Sequence, residues 1–109
     1  MRKLKFVVDG QIIKAAPSCD FSNLVPGTES YLEAEFLFSP EWDGYAVVAS
    51  FWSALGKEYM PQAIKNCRCI IPAEALKKRV FKVQIIGQAP NGKKIKTNKL
   101  AVCQDGGKA

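Results

Sequence analysis

Apolar and polar residues alternate with a spacing of two along several short stretches, the pattern of strands buried on one face. The clearest is residues 31–38, where Leu32, Ala34, Phe36 and Phe38 share one face while Glu33 and Glu35 take the other. Residues 45–52 form a second strand, rich in aromatic and β-branched side chains, with Val47, Ala49 and Phe51 on one side and Val48, Ser50 and Trp52 on the other. Apolar groups on both faces predict a central strand, or one whose outer face is covered by a partner. Upstream, residues 3–8 and 11–14 flank Asp9-Gly10, a two-residue hairpin signal that sets Val7 opposite Ile12 and Phe6 opposite Ile13. Residues 58–60, 67–71, 80–86, 94–97 and 99–103 read as further short strands, with turns at Gly56 and Pro90-Asn91-Gly92.

Other segments break the alternation. Ser39-Pro40-Glu41-Trp42-Asp43-Gly44 turns the chain, and residues 15–30, with Pro17, Pro26 and Gly27, read as a long connection carrying one short strand at 21–25. Pro72-Ala73-Glu74-Ala75-Leu76 predicts a single helical turn, with Pro72 at the first position where its missing N–H costs nothing; no other helix is expected. Residues 1–14 read as an N-terminal hairpin and 104–109 as a frayed tail. The set amounts to an all-β chain of seven to nine strands: an antiparallel β-sandwich, immunoglobulin-like in outline, with a small barrel as the alternative. The Cys…Trp…Cys spacing of antibody domains is absent, so the likeness is one of architecture.

Composition supports one folded domain spanning residues 1–109: 48% of residues are hydrophobic and 24% charged, ordinary globular usage. No apolar run approaches the roughly 20 residues that cross a bilayer. Met1-Arg2-Lys3-Leu4-Lys5 leads into a charged strand rather than a secretory apolar segment, which predicts a soluble protein made inside a cell. The formal charge of +6 gathers late, at Lys77, Lys78, Arg79 and Lys82 and again at Lys93, Lys94, Lys96 and Lys99. Neither cluster interleaves aromatics for base stacking, so both read as solvated faces rather than a phosphate-tracking groove.

The inventory for chemistry is thin. The chain has no histidine, which removes imidazole bases, Ser-His and Cys-His nucleophiles and His-containing metal sites together. Cys67 and Cys69 sit two apart on an expected strand and would share a face, but Cys19 and Cys103 stand alone. That spacing favours small buried thiols over a four-thiolate zinc site or a disulfide. Glu33 and Glu35 read as solubility devices rather than an acid/base pair, and Asp43 as a turn former. Asp105-Gly106-Gly107 lacks the strand-to-helix context of a phosphate cradle. No enzyme, cofactor or metal is therefore expected. What remains is three aromatic residues, Trp42, Trp52 and Tyr59, as candidate contacts to a protein or sugar, unless they fill the core or pin a turn. Trp52 leads because the opposite face of its strand already supplies a core.

The order Phe-x-Phe-x-x-x-Trp-Asp-Gly, then Phe51, Tyr59, Cys69-Ile70-Ile71-Pro72-Ala73-Glu74, Val80-Phe81-Lys82-Val83-x-x-x-Gly87 and Lys96-Thr97-Asn98 resembles small β-sandwich modules of phage tails. It is similar to the N-terminal module of baseplate upper proteins and related minor structural proteins from phages and prophages of Gram-positive bacteria, over residues 31–102. The resemblance implies a noncatalytic virion component that docks on other tail proteins or on itself as a homo-oligomer. Its location would be the virion, or the bacterial cytoplasm when expressed from a prophage. Two departures stand out: such proteins usually continue into helical or fibrous segments, and residues 3–14 have no counterpart in the module. Two rivals remain. A carbohydrate-binding sandwich requires Trp42 and Tyr59 to converge on one surface, and a weak nucleic-acid binder would use the late basic clusters.

Overall fold

The alternating segments pair into two stacked sheets. The computed structural model describes residues 1–104. In chain order the strands are β1 Arg2–Asp9, β2 Ile12–Ala15, β3 Leu32–Phe38, β4 Ala46–Ser53, β5 Gln62–Ala63, β6 Arg68–Ile70, β7 Val80–Gln88, β8 Lys94–Lys96 and β9 Leu100–Cys103. One sheet runs β2-β1-β3-β6; the other runs β5-β4-β7, with β7 flanked on its far side by β8 along one half and β9 along the other. The fold is all-β and sandwich-like. The inward faces supply the core: Leu4, Phe6, Val8, Ile13, Ala34 and Phe36 from the first sheet meet Ala49, Phe51, Phe81, Val83, Ile85 and Val102 from the second. Phe6 stacks on Phe36 with centroids 5.5 Å apart. Each ring of this size removes enough apolar surface from water to stabilise the fold by about 1.5–3 kcal/mol.

Several details differ from expectation. The hairpin pairs Val8 with Ile13 and Asp9 with Ile12, and the turn is Gly10-Gln11 rather than Asp9-Gly10. A slip of two residues keeps every side chain on its face, so the apolar pattern cannot choose between the registers. The choice is made by Gly10, at φ 57°, whose N–H donates to Ser39 Oγ (3.1 Å) and whose carbonyl accepts from Trp42 Nε1 (2.9 Å). The sheet is not wholly antiparallel: β1 and β3 run parallel in register from Arg2↔Leu32 to Val8↔Phe38. β2 runs back toward the start of β1, ending opposite Phe6, and β3 begins opposite Arg2, so the connection between them covers that end of the sheet.

That connection carries no strand at 21–25; it plugs the end of the core instead. Leu24 is buried, Phe21 packs edge-on against Phe6 at 5.5 Å, and the Arg2 guanidinium donates to the carbonyls of Asp20, Ser22 and Asn23. Two 3₁₀ turns replace the single helical turn, at Pro40–Trp42 and Ala75–Lys77. Residues 58–60 form only the isolated bridge Trp52↔Glu58, and the short β5 went unanticipated. Gln104 is no tail residue: it is 2% exposed, and its Nε2 donates to the carbonyls of Leu76 (3.0 Å) and Lys78 (2.6 Å). The remainder of the expected tail, 105–109, lies outside the described residues.

Thr97-Asn98 joins the two sheets. Thr97 sits at the break between β8 and β9, where its N–H donates to the Ile85 carbonyl (3.0 Å) and its Oγ1 accepts the Ile85 N–H (3.0 Å). Asn98 reaches the other sheet: its Oδ1 accepts the Ile13 N–H (2.8 Å), and its own N–H donates to the Gln11 carbonyl (3.1 Å). The Asn98 amide thereby occupies the outer edge of β2, where another strand would otherwise pair.

Candidate contact surface

The three aromatic candidates do not converge. Trp42 is 4% exposed, packed against Phe38 (centroids 5.6 Å) and Tyr45 (6.2 Å), and it lies against the backbone of Gly87. It pins the turn before β4, with almost none of its ring left exposed. Trp52 faces outward from β4, with Lys99 Nζ 3.5 Å from its ring centroid; its buried Nε1–H has no hydrogen-bond partner among the described residues. Beside it the buried Ser50 hydroxyl donates to the Glu58 carboxylate. Tyr59 belongs to the opposite side, half-buried against the core, its N–H donating to the Phe51 carbonyl (2.8 Å). Trp52 alone keeps an outward position, and Lys99 lies over its ring.

The cysteines also separate. All four are free thiols, but only Cys69 is buried. Burial, with Glu33 nearby, raises its pKa to about 12. Cys19 is half-buried, its sulfur accepting the Lys5 N–H at 3.3 Å. Cys103 is exposed, and Cys67, expected on the strand at 67–71, is exposed in the turn before β6 and shares no face with Cys69. Asn66 and Cys67, at φ 53° and 61°, form a two-residue turn between the bridged pair Lys65 and Arg68. Both central positions lie in the left-handed region, as a type I′ turn requires. Among the described residues no group of three or more His, Cys, Asp or Glu is placed to hold a metal ion, and no helix is long and apolar enough to cross a membrane. The Asp20 carboxyl titrates below its usual range because the Ser22 hydroxyl and N–H both donate to it.

A surface centred on β3, which the three candidates do not define, has the geometry of a contact site. β6 pairs with β3 only over Glu33 to Glu35, and the last bond between them runs from the Phe36 N–H to the Cys67 carbonyl (2.8 Å). On its other side β3 is bonded to β1, with the Ser39 N–H donating to the Val8 carbonyl (2.9 Å). Backbone groups alternate sides along a strand, so the N–H and C=O of Phe38 point to the side where β6 has already ended. Two hollows flank this free edge. One, of about 370 Å³, opens between the sheets and is lined by Phe36, Phe38, Tyr45, Val47 and Ile64, with Trp42 and Asp43 also in its wall. The other, of about 510 Å³, lies on the outer face of the first sheet over Val7, Leu37, Pro17 and Cys67. Leu37, 69% exposed, stands between them. Its signal was present in the sequence: after Glu33 and Glu35, Leu37 is an apolar residue on the polar side of the alternation.

Comparison with protein-family models, with curated proteins and with solved structures finds no match.

Proposed function

We propose that this protein is a noncatalytic structural module of a phage or prophage virion, of tail or baseplate type, working through protein–protein contact. The observation that carries the contact reading is the open edge of β3 at Phe38, with exposed Leu37 beside it and a hollow on either side, the outer one largely apolar. Exposed strand edges and apolar residues at a surface are what pairing with another chain uses. The virion assignment rests on the resemblance carried by the ordered landmarks of residues 36–98; within the sandwich Trp42, Gly87 and Thr97-Asn98 each hold a junction. The carbohydrate reading needed Trp42 at the surface, and that ring is buried.

The test is to induce phage particles from a host carrying the gene, purify them on a density gradient and identify their proteins by mass spectrometry. The reading expects this chain at fixed stoichiometry in intact particles. Absence from the particles would refute it, as would tight binding to a glycan array or steeply salt-dependent binding to DNA.

A further inference from the structure

Resting on the contact reading, we infer that the free edge of β3 takes an added strand from another protein, an extended segment with alternating apolar side chains and acidic flanks. Strand addition needs main-chain partners at an edge and pockets on both faces for alternate side chains. Phe38 supplies an N–H and C=O with no partner among the described residues, beyond the point where β6 leaves the sheet. Residues of an incoming strand point alternately to the two faces. One set would enter the hollow between the sheets at Phe36, Phe38, Val47 and Ile64. The other would lie over Val7 and Leu37 on the outer face. The two hollows share Phe36, Leu37 and Cys67, so a single strand reaches both.

Charge selects the occupant. Exposed Lys14 shares the outer-face row of Val7 and Leu37; Lys5 lines the outer hollow, and Lys65 and Arg68 form the feet of the Asn66-Cys67 turn. Glu35 sits among them but is already matched by Lys3 (3.8 Å) and Lys5 (4.0 Å), and Asp43 lines the inner hollow. Counting exposed Asp9, which follows Val7 on the same face, the rim sets Lys5, Lys14, Lys65 and Arg68 against Asp9, Glu35 and Asp43, a small basic excess in a chain of net charge +6. A second copy docked on this edge would bring the same basic groups together, and like charges across an interface cost several kcal/mol. An acidic partner meets the opposite field and is steered toward the edge.

The experiment uses two synthetic peptides with the same alternating valine and phenylalanine core, one flanked by aspartate and glutamate, the other by lysine. Binding to the full chain is followed by fluorescence anisotropy and by amide hydrogen exchange. The acidic peptide is expected to bind at least about tenfold more tightly than the basic one, with affinity falling as salt rises. It should also slow exchange of the Phe38 amide, and Leu37→Asp, a change at an exposed site, should weaken it by about tenfold or more. Equal binding of the two peptides, no protection at Phe38, or indifference to Leu37→Asp overturns the inference. So does concentration-dependent dimerisation that Leu37→Asp abolishes, since the occupant is then a second copy. Particle incorporation separates the two readings. If Leu37→Asp protein enters virions as well as wild type, the edge site fails and the virion assignment stands; if wild type does not enter, the virion assignment itself fails.

Discussion

Gly87→Ala probes the junction on which the sandwich turns. Gly87 lies in the middle of its sheet, opposite Val47 on β4 and Ile95 on β8, and faces the core. A β-carbon built there would stand 2.6 Å from Trp42 Cζ3, 3.0 Å from Trp42 Cε3 and 3.4 Å from Tyr45 Cβ. The indole cannot swing away cheaply, because its Nε1–H is tied to the Gly10 carbonyl and its ring is packed against Phe38. Overpacking of this kind costs about 1–3 kcal/mol, against which alanine recovers about 0.4–1 kcal/mol by restricting the unfolded chain. The net loss is roughly 1–2 kcal/mol, a large part of a total stability of about 5–15 kcal/mol. Urea unfolding followed by circular dichroism should show a lower midpoint at unchanged slope. Trp42→Phe supplies the control: it is destabilising by itself, but it removes the ring atoms that the new methyl meets. In that background Gly87→Ala should cost nothing or stabilise, giving a coupling of about 1 kcal/mol or more. If the glycine change costs the same in both backgrounds, or nothing in either, the argument from close approach is wrong.

Asn98→Ala should leave the Ile13 N–H without its acceptor and cost about 1–3 kcal/mol, while uncovering the β2 edge; light scattering should show self-association absent from the wild type. Cys69 titrates as a thiol whose folded pKa, about 12, lies above the ordinary value of 9.0. The folded state thus holds the proton more tightly, and this contribution, complete below pH 9.0, is lost as pH rises toward about 12. Over that window wild type should lose about 1.4 kcal/mol per pH unit relative to Cys69→Ala, as measured by denaturant midpoints; parallel pH curves would refute it. Cys67→Gly should stabilise the Asn66-Cys67 turn by up to about 1 kcal/mol, since a β-carbon at φ 61° is strained by about 1–2 kcal/mol and part of the gain is lost to the freer unfolded chain. A lower melting temperature for that variant would contradict the turn geometry.

The alternation in residues 31–38 and 45–52 determined which face of each strand enters the core, because side chains on a pleated strand alternate whatever the strand pairs with. The strand-and-turn spacing likewise carried the all-β class. Partners were a different matter. The hairpin register, the parallel β1–β3 pairing and the plugging role of residues 16–31 depend on contacts far apart in the chain, such as Trp42 on Gly10 and Arg2 on the Asp20 to Asn23 carbonyls. Trp42 and Trp52 illustrate the division: both are tryptophans beside a turn or strand, yet one is sealed under Gly87 and the other lies beneath Lys99. An isolated side chain has no burial until two sheets close over it. The open edge at Phe38 was equally beyond the pattern, although Leu37 hinted at it, because a strand's unpaired backbone groups are defined by where its neighbour stops, and only the tertiary structure decides that.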